Sequence, residues 1–442
     1  MNTSTDSAHQ AGESGESEDG REGSEARAAG PAGDAGTPRT AEPPGHGAPA
    51  APDWAAFVER YWEREPVVLP AGVRAEAAGW FRLAVTASAP FRSGTRLGAV
   101  PDVRFDTTEG LLRSPGPLLP DAHDGVVARY RERVRGELAG CGWQLTVTHP
   151  LVLDFGLWSL TRDLVSGLWD CAGRPPLPLT VELTVGDGYR RPARSGSPAV
   201  LTWVLDGALA LRPAGTGPGR RVLRAEPGEL VYRPAGAPYT EHSTGGCLAV
   251  SLVLPDVEAA AAASVEGVLT ALAQREPEFG GRTPYLHFPA PAGADGRVPD
   301  AELVREGATA LLRVLGGPGP ERALRRRWAA CRSAAGLEPV PPPRPAVYFG
   351  DGWQVRPTAE IEVVPDGEGG ALWAVNGHVL PIAGAAGDRL HAELTARRGG
   401  TLTVEGLGSA AGLPGDSAAL RSLLGTLHRM RAVDLTEGGG AR

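Results

Sequence analysis

The sequence predicts a mainly β fold with α additions: a barrel or jelly roll, then a helical region, then a small winged-helix-like C-terminal domain. Three observations predict it. Short strand-like runs crowd residues 177–255, separated by Gly and Pro turns without intervening helices, which favours a barrel or jelly roll over a parallel α/β sheet. Helical spacing takes over from 256 to 333. Five prolines fall within residues 339–345, a natural linker, and beyond it short strands precede a helix, connection, helix and strand.

Taken in order, residues 1–52 contain no Leu, Ile, Val, Phe, Tyr or Trp. Such a stretch cannot offset the entropy of ordering itself and reads as a disordered acidic Gly/Ala/Pro-rich tail. Asp53–Tyr61 suits a short helix with Trp54, Phe57 and Tyr61 on one stripe and Asp53 as N-cap. Pro66 stops it, and Val67-Val68-Leu69 reads as a strand closed by Pro70. Residues 71–120 suggest no long element. Asp124–Leu138 suits a charged helix, Trp143–Thr148 a strand of period two, and Ser159–Trp169 a helix. Thr180–Val185 alternates as a strand does. Val200–Leu205 is an apolar run that Asp206-Gly207, a strong turn pair, closes into a hairpin with Leu209–Leu211. Strands follow at 221–223, 229–232 and 247–254. Helices are predicted at 257–272, 303–315 and 324–335, strands at 359–364 and 371–375, and helices near 388–395 and 417–430, with Thr401-Leu402-Thr403-Val404 and Gly-rich turns between the last two. His378, after the turn pair Asn376-Gly377, reads as a loop residue. The expected domains are therefore a tail at 1–52, a barrel with N-terminal helical elements at 53–255, a helical and dimer-forming region at 256–338, a linker at 339–345 and a winged-helix-like domain at 346–442.

Composition excludes several functions. The 442-residue chain carries a net charge of -8, of which the tail, with nine acids and three arginines, supplies -6. The near-neutral remainder argues against a large nucleic-acid footprint. Four widely spaced cysteines form neither a disulfide framework nor a zinc site. With no lysine among its 44 basic residues, the chain can host no lysine-based chemistry, whether a Walker A lysine or a Schiff base. The same bias is typical of a GC-rich bacterial genome. No signal-like segment or membrane span is predicted, and the expected location is cytoplasmic.

Three stretches together resemble the JmjC branch of the cupin superfamily, and bacterial proteins similar to ribosomal oxygenases in particular. Phe57-Val58-Glu59-Arg60-Tyr61-Trp62-Glu63-Arg64-Glu65-Pro66-Val67-Val68-Leu69 resembles that family's opening FxxxYWExxPxxL helix and strand. Pro227-Gly228-Glu229-Leu230-Val231-Tyr232-Arg233-Pro234-Ala235-Gly236 resembles its PGDxLYxPxG turn and strand. The order of barrel, helical region and winged-helix-like end is the third likeness. The resemblance implies a double-stranded β-helix, Fe2+ and 2-oxoglutarate as cofactors, hydroxylation of a protein side chain and dimer contacts through the helical region. It also implies an HxD pair and a distal histidine as metal ligands. Here those positions fall at Arg194, Gly196 and Tyr239, and no His, Asp or Glu occurs from Tyr189 through Leu205. Arginine has no lone pair to donate to a metal. The family's basic GxKxW stretch is Gly207-Ala208-Leu209-Ala210-Leu211, entirely apolar, and its NxYxT strand retains only Thr184.

The expected protein is therefore catalytically degenerate, with no catalytic residue, metal or cofactor, and binds a protein or small ligand. Strand parity sets Thr180, Glu182 and Thr184 on one face. If that face looks inward, Glu182 and Thr184 line the pocket; otherwise Glu182 faces water or pairs with an arginine. Arg190, Arg191 and Arg194 read either as an anion-gripping rim or as a solvated loop. Tyr239 reads as filling the volume left by a metal or as touching a ligand. His242, beside Glu241, is the histidine nearest a site position, but adjacent residues of an extended strand face opposite ways. The alternatives are an iron(II)/2-oxoglutarate hydroxylase with a rearranged metal site and an accessory or regulatory protein that uses its winged-helix-like domain.

Overall fold

The computed structural model describes residues 51–73, 75–92, 100–175, 177–192, 198–214, 221–255, 257–273, 294–295, 305, 308–309, 312–313, 315–350, 352–367, 369–414 and 417–437. All but the last two residues of the predicted tail lie outside them, as does most of the predicted 303–315 helix.

Helix α1 (Trp54–Arg60) is capped by Asp53, whose carboxylate accepts from the Ala56 amide at 2.9 Å. It buries Trp54 and Phe57 and leads into β1 (Val67–Pro70). Helix α2 (Ala77–Arg92) follows, then β2 (Asp102–Thr107), β3 (Gly110–Leu112), α3 (Val127–Glu137), β4 (Trp143–Thr148) and α4 (Phe155–Ala172). Strands β5 (Thr180–Asp187), β6 (Arg190–Arg191), β7 (Val200–Pro213), β8 (Leu223–Ala225), β9 (Glu229–Arg233) and β10 (Tyr239–Val253) complete a ten-stranded sheet. Its pairing order is β1-β9-β7-β10-β5-β4-β2-β3, with β6 on β10 and β8 on β7.

This arrangement corrects the predicted fold class. Helix and strand are roughly balanced rather than mainly β, and the sheet does not close into a double-stranded β-helix barrel: its ends, β1 and β3, are not partners. Two local features hid the missing elements. Gly79 and Pro90 interrupt the apolar pattern of α2, yet Trp80, Phe81, Leu83, Ala84 and Ala87 form a buried face. The short strand β2 is held by long-range pairing with β4, Phe105 lying opposite Leu145, and carries β3 as a hairpin partner; such long-range pairing leaves little local signal. A second correction concerns Asp206-Gly207. The chain does not turn back there, and β7 runs on through both residues while β10 pairs along its length, with register shifts between Ser243 and Cys247 and between Leu248 and Ala249. Gly207 has φ +78°, and a Cβ there would lie 1.9 Å from the Gly246 carbonyl oxygen. The glycine serves a bend with close backbone approach, not a hairpin.

The two stretches behind the family resemblance become neighbouring strands, with Val67 opposite Tyr232 and Leu69 opposite Leu230. Tyr232 is fully buried, stacks on Trp62 and meets Phe57 edge to face. Its hydroxyl accepts from the Glu63 amide at 3.0 Å. Each such aromatic contributes roughly 1.5–3 kcal/mol through burial, so these motifs work as a structural clasp. Trp158 and Trp169 of α4 donate to the Leu337 and Ala335 carbonyls, fixing the chain after helix α6 (Gly319–Ser333). Helix α5 (Val257–Ala273) precedes it.

Beyond the prolines, β11 (Gln354–Pro357), β15 (Leu402–Thr403) and β16 (Val433–Thr436) form one three-stranded sheet, and β12 (Glu362–Pro365), β13 (Ala371–Val375) and β14 (His378–Ile382) another. Helices α7 (Ala385–Ala396), α8 (Val404–Ala411) and α9 (Ala418–Arg429) pack Leu390, Leu407 and Leu424 into a core with Trp373. Strand β15 stops at Thr403, whose hydroxyl accepts from the Gly406 amide and caps α8. Asn376-Gly377, both at positive φ, do form a hairpin turn. His378, expected in a loop, is the first residue of β14, opposite Val375.

Candidate functional site

Register across the large sheet lines up its polar positions. Thr148 lies opposite Glu182, Glu182 opposite Ser251, and Ser251 opposite Thr202, and directly opposed residues share a face. The other face of β5 sends Val181, Leu183 and Val185 into the main core, all at most 2% exposed. The polar face carries a cavity of about 280 Å³ whose walls include Arg104, Asp106, Glu182, Arg191, Arg233 and Glu241, with Tyr189, Tyr239, Val200 and Val253 beside them.

The charges alternate. Arg191 Nη2 donates to Glu182 Oε2 at 3.0 Å, and its Nη1 stands 3.7 Å from Glu241 Oε2. On its far side Glu241 meets Arg233 Nε, also at 3.7 Å, beyond hydrogen-bond length. Arg104 Nε and Nη2 both donate to Asp106 Oδ1, at 3.0 and 2.7 Å. Hydrogen bonding to Asp106 raises the Arg104 pKa above the ordinary arginine value. Burial opposes the charge on Arg191, but Glu182 and Glu241 outweigh it and its pKa is raised. Arg233 goes the other way: burial is the largest influence and lowers its pKa, with Glu241 opposing. Desolvating a guanidinium costs several kcal/mol, and one carboxylate at this distance returns about 4 kcal/mol before its own desolvation is counted. Arg233 is thus incompletely compensated.

A second, smaller cavity of about 20 Å³ shares Tyr189 and Glu241 with the first and lies between Gln144, Thr184, Thr202, Ser243, Cys247 and Ser251, about the volume one water needs. There the Thr202 and Ser251 hydroxyls are 2.9 Å apart, and Thr184 Oγ1 donates to the Ala249 carbonyl at 3.3 Å. Burial pushes the Cys247 thiol up to about 12, so it is not a ready nucleophile.

Of the residues singled out from sequence, Glu182, Arg191 and Tyr239 line the larger cavity and Thr184 the smaller one. Glu182 is both inside and arginine-paired, so two readings posed as alternatives hold together. Arg190 is exposed and sits opposite His242 on β10; neither lines the cavity. Arg194 and Gly196 lie outside the described residues. Sequence reasoning missed Arg104, Asp106, Tyr189 and Arg233. Parity along Glu229–Arg233 could have flagged Arg233, which shares a face with Val231 while Tyr232 faces the core; nothing local marked Arg104 or Asp106.

The donor set does not fit iron. Among the described residues no group of three or more His, Cys, Asp and Glu could hold a metal ion, no histidine lines the cavity, and guanidinium groups pair with its carboxylates.

No family model matches the sequence, and no curated protein matches it. Among solved structures the chain is similar to the Escherichia coli ribosomal oxygenase YcfD, at 16% identity and TM-score 0.46, over 87% of this chain and 98% of that one. A second YcfD structure, in complex with cobalt and succinic acid, matches at 16% identity and TM-score 0.45 over the same shares. The Clostridium difficile EutQ protein matches 20% of this chain and 61% of its own, at 17% identity and TM-score 0.16. The likeness to the two YcfD structures combines high coverage with low identity. At this level it assigns no residue a role.

Proposed function

We propose that the chain is a catalytically degenerate relative of the JmjC and cupin oxygenases that uses its cavity to bind a small ligand or a protein side chain. One observation carries the reading: a cavity walled by the alternating groups Glu182, Arg191, Glu241 and Arg233 suits polar recognition and leaves no open set of metal ligands. Thr184 and Tyr239 are binding residues in this reading, whereas Arg190 and His242, which pair across β6 and β10, do not line the cavity. The ligand-binding part spans 53–255, a helical dimer-forming region 256–338, a linker 339–345 and a winged-helix-like packing domain 346–442. Exposed Val265, Leu315, Leu324 and Trp328 favour pairing through the helical region. Several arginines at this end are spent internally: Arg344 of the linker and Arg356 donate to Asp434, and Arg389 donates to the Ala411 carbonyl. That favours packing over nucleic-acid contact.

Iron(II) titration with metal analysis and a succinate assay on purified protein tests the reading. The expected outcome is no stoichiometric iron and no 2-oxoglutarate turnover. Tight one-to-one iron binding that is lost in Glu182→Gln or His242→Ala would sink the reading and revive the rearranged metal site. Light scattering should report a dimer at micromolar concentration, and a persistent monomer would remove the pairing role.

A further inference from the structure

Arg233 narrows the ligand class. It is the most buried of the three cavity arginines, with its side chain 10% exposed against 34% for Arg191 and 50% for Arg104. The other two donate to carboxylates at hydrogen-bond length, whereas Arg233 Nε is buried and makes no hydrogen bond. A buried donor left unused is uncommon in native structures and calls for a partner. A guanidinium fork matches a planar carboxylate.

Charge balance adds a second constraint. Arg104, Arg191 and Arg233 oppose Asp106, Glu182 and Glu241 in the wall, so the lining is neutral among the described residues. A simple anion on Arg233 would bring uncompensated negative charge next to Glu241, 3.7 Å from that Nε. A ligand whose carboxylate and ammonium are one carbon apart would not: the carboxylate meets Arg233, and the ammonium meets Glu241, whose two arginine contacts are both longer than hydrogen bonds. Val200, Val253 and Tyr239 in the same wall suit an apolar side chain.

We propose that the cavity takes a free apolar amino acid, with its carboxylate on Arg233 and its ammonium on Glu241. This rests on the ligand-binding reading of the cavity.

Ligand-observed NMR and calorimetry on the full chain would use the free apolar L-amino acids from alanine to phenylalanine. L-Leucinamide, N-acetyl-L-leucine and 4-methylpentanoate serve as analogues that each lack one charge. At least one free amino acid should bind, and its single-charge analogues should bind about tenfold or more weakly, because each leaves a buried group unpaired. Arg233→Gln and Glu241→Gln should each weaken binding by about tenfold or more, with Arg233→Lys recovering part of it. If Arg233→Gln fails to fold, Glu241→Gln and the analogue series still decide. Equal binding of N-acetyl-L-leucine or 4-methylpentanoate would overturn the zwitterion and leave a carboxylate-binding cavity. Binding of the amino acids that neither variant weakens would place the ligand elsewhere and overturn the assignment. Failure of every amino acid, amide and carboxylate would overturn the assignment together with the ligand-binding reading.

Discussion

Two arginine–carboxylate clusters in this molecule look alike in sequence and differ in geometry. At the C-terminal end Asp434 on β16 accepts from Arg344 at 2.6 Å through one oxygen and from Arg356 at 2.7 Å through the other. In the cavity Glu241 also stands between two arginines, but both contacts are 3.7 Å. The electrostatics follow. Burial would raise the Asp434 pKa, yet its two arginines outweigh burial and hold it below the ordinary aspartate value, whereas burial prevails at Arg233. A saturated cluster fastens one segment to another; here it ties the proline-rich stretch to the last strand. An unsaturated cluster around open volume has capacity left for something else.

The largest expected effect comes from breaking the saturated cluster. Asp434→Ala leaves two guanidinium groups without their acceptor and should cost about 1–3 kcal/mol, read from urea unfolding. Arg233→Met should do less to the ligand-free protein, between no change and a loss of about 1 kcal/mol, because relief of an undercompensated buried charge offsets the partner that Glu241 loses. A loss above about 2 kcal/mol for Arg233→Met would mean that the cavity cluster is a staple like the other, and the contrast would collapse.

How far the sequence reveals this contrast depends on the range of each interaction. Elements with strong local periodicity were legible: α1 with its Asp53 cap, β4, β5 and α5 sit within two residues of their predicted bounds. Local signals misled where distant strands decide the outcome. Asp206-Gly207 and Asn376-Gly377 are both turn pairs, yet only the second reverses the chain, since β10 pairs with β7 on both sides of Gly207. Half of the site was legible for the same reason. Glu182 and Thr184 follow from parity on one strand, whereas Arg104 and Asp106 sit on β2, whose pairing partner β4 is about forty residues away.

Acid titration sharpens the comparison with a smaller effect. The folded-state pKa of Asp434 is depressed, so its stabilisation is fully present above the unfolded value and is lost as pH falls through the folded one. The stability difference between the parent and Asp434→Asn should be constant above about pH 5 and shrink as pH drops below about 4. Urea midpoints measured across that range would check it, and a constant difference down to pH 2 would show that Asp434 does not hold its proton off through Arg344 and Arg356.

The smallest effect concerns His428, near that cluster on α9. Its ring is 9% exposed and its Nδ1 lies 3.3 Å from the Val433 carbonyl. Burial, the largest influence, lowers its pKa; the Val433 carbonyl opposes this, Arg344 reinforces it and Asp434 opposes it. The unfolded chain therefore takes up a proton near the ordinary histidine value while the folded protein still resists, so stability declines as pH falls below about 6.5 and levels off once pH passes the folded value. His428→Gln keeps a polar group near Val433 and removes the titration. It should flatten the stability profile between about pH 6.5 and 5 without altering the acid limb below pH 4 that belongs to Asp434. The two variants thus separate in pH what the structure sets side by side. A profile unchanged by His428→Gln would mean that the slope in that window arises elsewhere, with His378, whose pKa is also lowered by burial, the next group to replace.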